Sequence, residues 1–170
     1  MLKTIVMKNE EFIITEDLQA TQSQRFFNLS IDVVFIYILV LSLGTTIILV
    51  ALAVDNFALS NYVTNLTAIE IAFYTAIVTF LYYYLTEVYF SCTIAKLLTH
   101  TIVVNANGTK PSKRSIFIRT CCRFIPFEAF TFLYGPKGWH DVFSKTYVVK
   151  KRELIKKRKQ QDSFETVAPL

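Results

Sequence analysis

Basic residues are absent from a long internal stretch of this 170-residue chain: none of its 18 Lys and Arg lies between residues 26 and 95. Cysteine and glycine are also scarce, with three and four copies. Three cysteines cannot build a disulfide framework, and neither they nor the two histidines show zinc-ligand spacing. Four glycines form no glycine-rich phosphate cradle, and no nucleophile elbow occurs. We therefore expect no catalytic residue, metal or cofactor, and a protein that is not an enzyme.

Long uncharged runs are abundant instead. Hydrophobic residues make up 53% of the chain and charged residues 18%, whereas soluble domains usually carry about 25% charged residues. The run Val33 to Val54 has no charge in 22 residues. As a helix it would measure about 33 Å, enough to cross a hydrocarbon core of about 30 Å. The sequence therefore predicts a membrane protein whose first span lies at about 31–54.

A second span is predicted at about 66–90, less cleanly than the first. Its uncharged centre is bracketed by Glu70 and Glu87. The intervening loop, 55–65, has no basic residue, whereas residues 96–170 hold 15 basic and 5 acidic side chains. Because basic segments stay on the cytoplasmic side of a membrane, we expect a multi-pass protein with both termini in the cytoplasm.

A third apolar run predicts a helix at about 113–134. It contains Arg119, Arg123 and Glu128, and such charges are costly at bilayer depth. Crossing would also move the basic C-terminal residues outside, against the charge bias. We expect an amphipathic helix in the cytoplasmic interface, which dips inward or re-enters at Pro126. A short third crossing is the alternative.

Two short β-like runs flank this helix, at 101–108 and 145–150. The first enters an Asn-Gly turn. Because a lone strand is only marginally stable, we expect the two runs to pair beneath the membrane. The predicted fold class is thus a membrane α-helical protein with two transmembrane helices, one interfacial or re-entrant helix and a short cytoplasmic β-strand pair.

The C-terminal segment, 150–170, is predicted to be a basic cytoplasmic tail. Near an anionic inner leaflet each basic side chain contributes about 1 kcal/mol of attraction, so the lipid bilayer is an expected partner. Nucleic acid fits poorly, because no aromatic side chains are interleaved with the charges. The expected membrane-surface patch consists of Lys150, Lys151, Arg152, Lys156, Lys157, Arg158 and Lys159.

Asp32 is the most informative charged residue, because a short carboxylate at the membrane edge needs a partner or a proton. Arg25 and Asn28 lie on the same helix stripe. Two interpretations stay open: an ion or proton site that faces a bundle interior, and a buried ion pair that docks the cytoplasmic segment onto the first span. We also predict that Asp141 pairs with Arg25 and holds the cytoplasmic segment against the helices.

The two glutamates of the second span would lie at its opposite ends, so they cannot form a close carboxylate pair. Each is expected at the level of the interface. Near the second glutamate we expect an aromatic belt formed by Tyr82, Tyr83, Tyr84 and Tyr89. The possible polar partners within or beside the membrane are Asn28, Glu70, Glu87, Lys96, Arg119 and Arg123.

Three motifs occur in order around the two spans: Arg25-Phe-Phe-Asn-Leu-Ser-Ile-Asp32, then Thr93-Ile-Ala-Lys96-Leu-Leu with Gly108, and finally Trp139 to Val149. Together they resemble the motifs of the RDD family, small bacterial integral membrane proteins. The resemblance covers about 25–149 and implies a membrane domain there, after an N-terminal cytoplasmic segment 1–24. It also implies that the signature residues are Arg25, Asp32 and Asp141, and that the protein lies in the bacterial cytoplasmic (inner) membrane.

Two positions depart from the family pattern. Asn28 stands where the family tends to have a small apolar residue, and Ala95 stands where it favours glycine. Neither departure removes a signature residue. The resemblance implies architecture more than activity, since transport, with cation/proton exchange in some members, is only a suggestion for the family.

Two functions follow as expectations. Two helices cannot enclose a pathway, and the chain shows no inverted repeat. The first expectation is therefore a non-enzymatic accessory or assembly subunit of a larger inner-membrane complex, with other membrane proteins as partners. The alternative is a homo-oligomeric transporter of a small cation or solute. The small-residue stripe of Ala68, Ala72 and Ala76 would let copies of the second span pack together.

Overall fold

The computed structural model describes residues 14–126, 128, 131 and 138–167. Most of these residues are helical. Two helices are long and apolar enough to cross a membrane: α1, Gln22–Ala53, and α3, Ala68–Phe90. To that extent the prediction of two spans is confirmed.

Helix α1 begins earlier than the predicted span, at Gln22 rather than near residue 31. The Thr21 hydroxyl accepts a bond from the backbone N–H of Gln24, and the Gln24 side chain accepts one from the backbone N–H of Thr21. This reciprocal cap satisfies two N–H groups that the helix start leaves free. The first turns of α1 therefore precede the uncharged run, and their buried residues are Arg25, Asn28 and Asp32.

The uncharged part of α1 is covered by little of the described chain. Tyr37 is 65% exposed and Leu49 is 62% exposed, and an added side-chain carbon at Gly44 would meet no atom within 4 Å. A helix that is apolar on all sides is stable where lipid or other helices cover it. The exposure of α1 therefore matches its assignment as a span.

A short helix, α2, Phe57–Thr64, connects the two spans. Helix α3 then starts with a second reciprocal cap, in which Thr67 and Glu70 bond to each other's backbone N–H groups. It ends at Phe90, after which Ser91 adopts a left-handed backbone with φ of 57° and donates its N–H to the Glu87 carbonyl.

Five short elements pack at the end of the spans that holds Asp32 and Glu87. We call them the basal unit: α4, Ile94–Leu98; β1, Thr101–Asn105; α5, Lys113–Cys122; α6, Trp139–Ser144; and β2, Thr146–Lys150. Strands β1 and β2 pair antiparallel, with Thr101 opposite Lys150 and Asn105 opposite Thr146. The predicted strand pair is therefore confirmed. Helix α4 contacts α1, and α5 contacts both α3 and α6.

The predicted helix over about 113–134 is wrong in its extent. Helix α5 ends at Cys122, and residues 123–126 form turns. Pro126 has no N–H to donate, and its ring disfavours a helical backbone at Ile125. With 10 residues, α5 is about 15 Å long, too short to cross a bilayer. Glu128 and Thr131 are again helical, and the rest of the run lies outside the described residues.

Helix α5 packs inward rather than standing apart from the spans. Its buried residues are Ile116, Arg119 and Thr120. On its other side the Phe117 ring meets Phe80 of α3 edge to face, with the ring centroids 5.8 Å apart. Both faces therefore tie α5 to the spans and to the basal unit.

The basic C-terminal segment forms a helix, α7, Lys151–Val167. Leu154 holds it against the sheet, in an apolar cluster that includes Val149. Arg158 donates a bond from Nη2 to the Gly108 carbonyl at 2.6 Å. Most of the predicted basic patch faces outward, and its exposed members are Lys151, Arg152, Lys156, Arg158 and Lys159.

Candidate functional site

Nine ionisable side chains meet where the two spans join the basal unit. Five lie on or beside the short elements: Lys96, Arg119, Arg123, His140 and Asp141. The others are Arg25 and Asp32 from α1, Glu87 from α3, and Glu128. We call this group the basal cluster. With His140 neutral it contains four cations and four carboxylates, so its charges balance.

Asp141 is 1% exposed and lies between two arginines. Arg25 Nη1 donates to its Oδ2 at 2.5 Å, and Arg119 Nη1 donates to its Oδ1. The expected Arg25–Asp141 pair is thus present, and it joins α1 to α6. Burial disfavours the Asp141 carboxylate, but the charge of Arg119, the neighbouring His140 and the charge of Arg25 together outweigh burial and hold the pKa of Asp141 well below its ordinary range.

Glu87 is fully buried and contacts three cations. Lys96 Nζ lies 2.5 Å from its Oε1, Arg123 Nη2 lies 3.0 Å from the same oxygen, and Arg119 Nε lies 3.1 Å from its Oε2. All three cations are among the possible partners predicted from the sequence. The short elements bury the Glu87 side chain, and its position at the level of the interface stays a prediction.

Arg119 connects the two parts of the basal cluster. It is 0% exposed, and it contacts Glu87 through Nε and Asp141 through Nη1. The same Nη1 also donates to Thr146 Oγ1 at 2.9 Å. One guanidinium therefore links α3, α6 and β2, which is a geometry that its planar fork allows and a lysine ammonium does not.

The cations around Glu87 differ in their proton affinity. Burial lowers the pKa of Lys96 to about 8, even though the Glu87 charge acts in the opposite direction. For Arg123 burial also disfavours the charge, but Glu87 together with weaker contributions from Tyr83 and the other nearby carboxylates outweighs burial, and the pKa of Arg123 is raised. The Arg123 guanidinium in addition lies 4.0 Å above the ring of Tyr83.

Asp32 is held by neutral donors. Tyr82 Oη donates to its Oδ1 at 2.7 Å, Thr93 Oγ1 donates to its Oδ2 at 2.8 Å, and the Ala95 N–H donates to Oδ1 at 3.4 Å. The structure gives Asp32 no ion pair among the described residues, since Arg25 points to Asp141. The ion-pair form of the docking interpretation is therefore wrong, although Asp32 does fix the start of α4 to α1.

The predicted aromatic belt is wrong for two of its four tyrosines. Tyr82 and Tyr83 are buried, and with Ile36 they form the apolar contact between the spans. Tyr82 also accepts a bond from the backbone N–H of Ile94 at 3.2 Å. Tyr89, by contrast, is exposed. All four tyrosines have the same side chain and lie near the same end of α3. The sequence therefore carries no signal that separates the buried tyrosines from the exposed one.

The remaining predicted polar residues fall into two places. Asn28 lies beside the basal cluster and ties α1 to the start of β1, donating to Thr101 Oγ1 at 3.1 Å and accepting from Thr99 Oγ1 at 2.5 Å. Glu70 lies at the other end of α3, where it caps that helix and contacts Tyr62 Oη at 3.4 Å. The structure does not bring Glu70 into the basal cluster.

His140 and Glu128 form a contact that the sequence analysis does not predict. The Glu128 carboxylate accepts from the His140 backbone N–H at 3.2 Å and contacts the His140 ring at Nδ1. Burial lowers the pKa of His140 to about 4, so the ring is neutral near pH 7. The ring also approaches Asp141, with Nε2 3.6 Å from Oδ1. The side chains of these two adjacent residues therefore converge, although neighbours in a chain commonly point apart.

A partly open cavity of about 50 Å³ lies among the side chains of the basal cluster. Its lining residues are Arg25, Asn28, Leu29, Asp32, Lys96, Arg119, Arg123, Glu128, His140 and Val148. Within the described part of the chain, no group of three or more histidine, cysteine or carboxylate side chains has the arrangement of a metal site. The arrangement can hold charges and protons at fixed positions and can lock two spans to one unit.

Comparison with known proteins gives one match. The model of the RDD family matches residues 19–145, which include every signature residue and both spans. No curated protein and no solved structure matches the chain. The family match supports the membrane assignment of α1 and α3, whose length and apolar composition indicate it independently. Because the match covers most of the chain, this protein belongs to the RDD family.

Proposed function

We propose that this protein is a non-enzymatic accessory or assembly subunit of a larger complex in the bacterial cytoplasmic membrane. The observation that carries the proposal is the basal cluster, in which the carboxylates of Asp32, Glu87 and Asp141 are all held by groups of the same chain. Such a cluster makes the spans and the basal unit one rigid body. A rigid body with uncovered apolar spans is suited to binding other membrane proteins.

The proposed orientation places both chain ends and the basal unit in the cytoplasm. The exposed basic side chains of α7 support it, because basic segments next to spans stay inside. The α2 connection at the far end has no basic residue. In this orientation the α7 patch can bind anionic lipid headgroups of the inner leaflet.

A homo-oligomeric transporter of a small cation or solute is the second candidate. One observation favours it: Ala68 and Ala72 are exposed on α3, so the small-residue stripe is available to another copy of this span. Against it, α1 carries no charged side chain after Asp32. A path across the membrane would therefore depend on groups from several copies.

The test is the mass and composition of the particle that carries this chain, extracted in mild detergent at native expression level. Two differently tagged copies are expressed together, and each tag is purified in turn. We expect other membrane proteins at fixed stoichiometry and no co-purification of the second tag.

A pure homo-oligomer that contains both tags would contradict the accessory role and favour the transporter. Ala72→Leu should then disrupt the oligomer, because it enlarges the packing stripe, whereas Leu49→Ala on the exposed face of α1 serves as the control. Ion flux into liposomes would be the next measurement in that case.

A further inference from the structure

Helix α5 runs along α3 toward the middle of that span. Just before α5 begins, Lys110 Nζ donates to the carbonyl of Tyr89, one residue before α3 ends. Further along, the rings of Phe117 and Phe124 both lie against Phe80, with centroid distances of 5.8 Å and 6.4 Å. Phe80 lies about 15 Å from that end of α3. The chain therefore descends along α3 by about half the thickness of a hydrocarbon core.

The chain returns to the side from which it descends. Tyr82 of α3 bonds to Asp32 of α1, so these two residues lie at one depth. Arg25 lies about 10 Å from Asp32 along α1, toward the start of that helix. Because Asp141 contacts Arg25, the chain is again near the ends of the spans when it reaches α6. It therefore enters and leaves on one side.

The charges of this segment face the protein. Arg119 is 0% exposed, and Arg123 contacts Glu87. Glu128 is also buried, and it contacts His140. Charges at bilayer depth are tolerated where they face the protein interior and pair with one another. The cost that these charges would impose on entry into a membrane is thereby offset.

The turn after α5 satisfies its own backbone donors. The N–H groups of Arg123, Phe124 and Ile125 each donate to the carbonyl three positions earlier, at 3.1–3.2 Å. Pro126 has no N–H group to satisfy. Hydrocarbon offers no hydrogen-bond partners, so a chain segment that enters it has to pair its backbone groups internally. The N–H groups at 123–126 meet this requirement.

The uncovered face of α5 is apolar. Phe117 is 50% exposed, and the side chains of Phe124, Ile125 and Cys121 are also exposed. Positions 117, 121 and 124 share one face at helical spacing. Leu81 of α3 is exposed beside them, so this face continues the apolar surface of the span. A continuous apolar surface of this kind marks a contact with a membrane or a protein, and its continuity with a span favours lipid.

We propose that α5 and the turn at 123–126 form a re-entrant limb, whose exposed apolar face contacts lipid acyl chains inside the bilayer. In the proposed orientation the limb occupies the cytoplasmic leaflet, and the other elements of the basal unit remain in the cytoplasm. The inference holds for an accessory subunit and for a transporter alike, because it concerns only the contact of α5 with lipid.

The experiment measures the depth of single spin labels in the full-length protein, reconstituted into liposomes. Cys121 is the native labelling site, in a chain that carries Cys92→Ala and Cys122→Ser. The label collides with oxygen, which concentrates in hydrocarbon, and with a nickel chelate, which stays in the water on both sides. In a chain without other cysteines, Leu81→Cys on α3 is the lipid reference and Lys156→Cys on α7 is the water reference.

We expect the label on Cys121 to resemble that of Leu81→Cys, with frequent oxygen collisions and few nickel collisions. Arg114→Cys is the matched control on the same helix, because Arg114 is exposed near the start of α5. Its label should lie shallower by up to about 10 Å, since seven residues separate the two positions. A helix that lies flat in the interface would instead give one shallow depth for both labels.

A chemical measurement on the wild type requires no cysteine substitution. A charged thiol reagent is added on both sides of the liposomes, and mass spectrometry identifies the modified residues. Reaction at Cys121 should be lost in liposomes and should appear after unfolding, because apolar surroundings keep a thiol protonated and the thiolate is the reactive form. Arg114→Cys should react in the same liposomes.

Four results would overturn the proposal. Nickel collisions at Cys121 as frequent as those of Lys156→Cys would place α5 in water, and so would modification of Cys121 in intact liposomes. Equal shallow depths for Cys121 and Arg114→Cys would show a helix that lies flat in the interface. An immobilised label at Cys121 that neither probe reaches would show that protein, and not lipid, covers this face.

Discussion

The two parts of α1 have opposite surroundings. Beyond Ile36 its large apolar side chains face outward, as at Leu49, whereas its first turns bury Arg25 and Asp32. A soluble domain would bury the first group and expose the second. The difference fits spans whose apolar surroundings come from lipid or from other helices, so that the chain itself has to organise only the end where polar residues meet.

The basal unit tolerates buried charges because each charge has fixed partners. Isolated ions cost several kcal/mol each in a protein interior, and only good geometry offsets this cost. Arg119, for example, contacts both Glu87 and Asp141. We therefore expect substitutions in the basal cluster to destabilise the protein strongly and similar substitutions along the spans to destabilise it only slightly.

Asp141→Asn should have the largest effect. It leaves the buried guanidinium groups of Arg25 and Arg119 without their carboxylate, and we expect a loss of about 3–5 kcal/mol in the free energy of unfolding. Unfolding by a denaturing detergent in mixed micelles measures the loss. The matched control is Asp55→Asn at an exposed position, which should change stability by less than about 0.5 kcal/mol. Equal effects would refute the contrast between the two regions.

Truncation of apolar side chains should show the same difference between the basal unit and the spans, and it changes no charge. Ile116 in α5 is fully buried, and Ile116→Ala should cost about 2–5 kcal/mol through lost contacts and the cavity left behind. Leu49→Ala should cost less than about 1 kcal/mol in detergent, because detergent replaces the lost contacts. The thermal midpoint of each purified variant is the measurement. A larger shift for Leu49→Ala would mean that the spans pack against each other more than the structure indicates.

Asp32→Asn should lower stability by about 2 kcal/mol, since it weakens hydrogen bonds to a charged acceptor. Tyr82→Phe removes the hydroxyl that donates to Asp32, so this variant tests whether the loss comes from that hydrogen bond. Because Tyr82 donates directly to Asp32, the two losses should not add in the double variant. The result that would defeat the structural role is an Asp32→Asn protein that purifies and melts normally and has lost only ion flux.

The stability of the protein should fall as the pH falls from 7 to 5. Unfolded His140 titrates near 6.5, whereas in the folded protein burial lowers its pKa to about 4. Between these values the unfolded state binds more protons, so the folded state loses about 2 kcal/mol over this interval. The carboxyl groups of Asp141 and Glu128, whose pKa values are also lowered, take effect only at lower pH.

Histidine variants measure this pH effect directly. Unfolding is followed at pH 7 and pH 5 for the wild type, His140→Asn and His100→Asn. The difference between the two pH values should disappear in His140→Asn and persist in His100→Asn, because His100 is exposed. A pH difference that survives in His140→Asn would show that another group causes it.

Part of the candidate site could be predicted from the sequence. The Arg25–Asp141 contact and the cations near Glu87 follow from a simple argument, because charges at a membrane edge need partners and few are available. The contact between His140 and Glu128 could not be predicted, because it depends on the path of the chain between them. Nor could the burial of Tyr82, because an interface tyrosine and a buried one have the same side chain.

The end of α5 illustrates the same limit for the fold. The pattern of apolar and basic residues continues past Cys122, so periodicity alone extends the helix to about residue 134. The proline at 126 is compatible both with a kink and with a stop. The choice between them depends on the fit of α5 against α3 and α6, which is a tertiary contact.

Four features can be predicted from the sequence: the two spans, three of their four ends to within a turn, the strand pair, and the charged residues that must find partners. Length and the absence of charge set these features locally. Which charge meets which depends on the tertiary structure. Asp32 receives neutral donors from α3 and α4, and Arg25 turns instead to Asp141, 116 positions away. Such pairings depend on how the basal unit folds back on the spans, because a side chain's surroundings are set by packing and not by its neighbours in the chain.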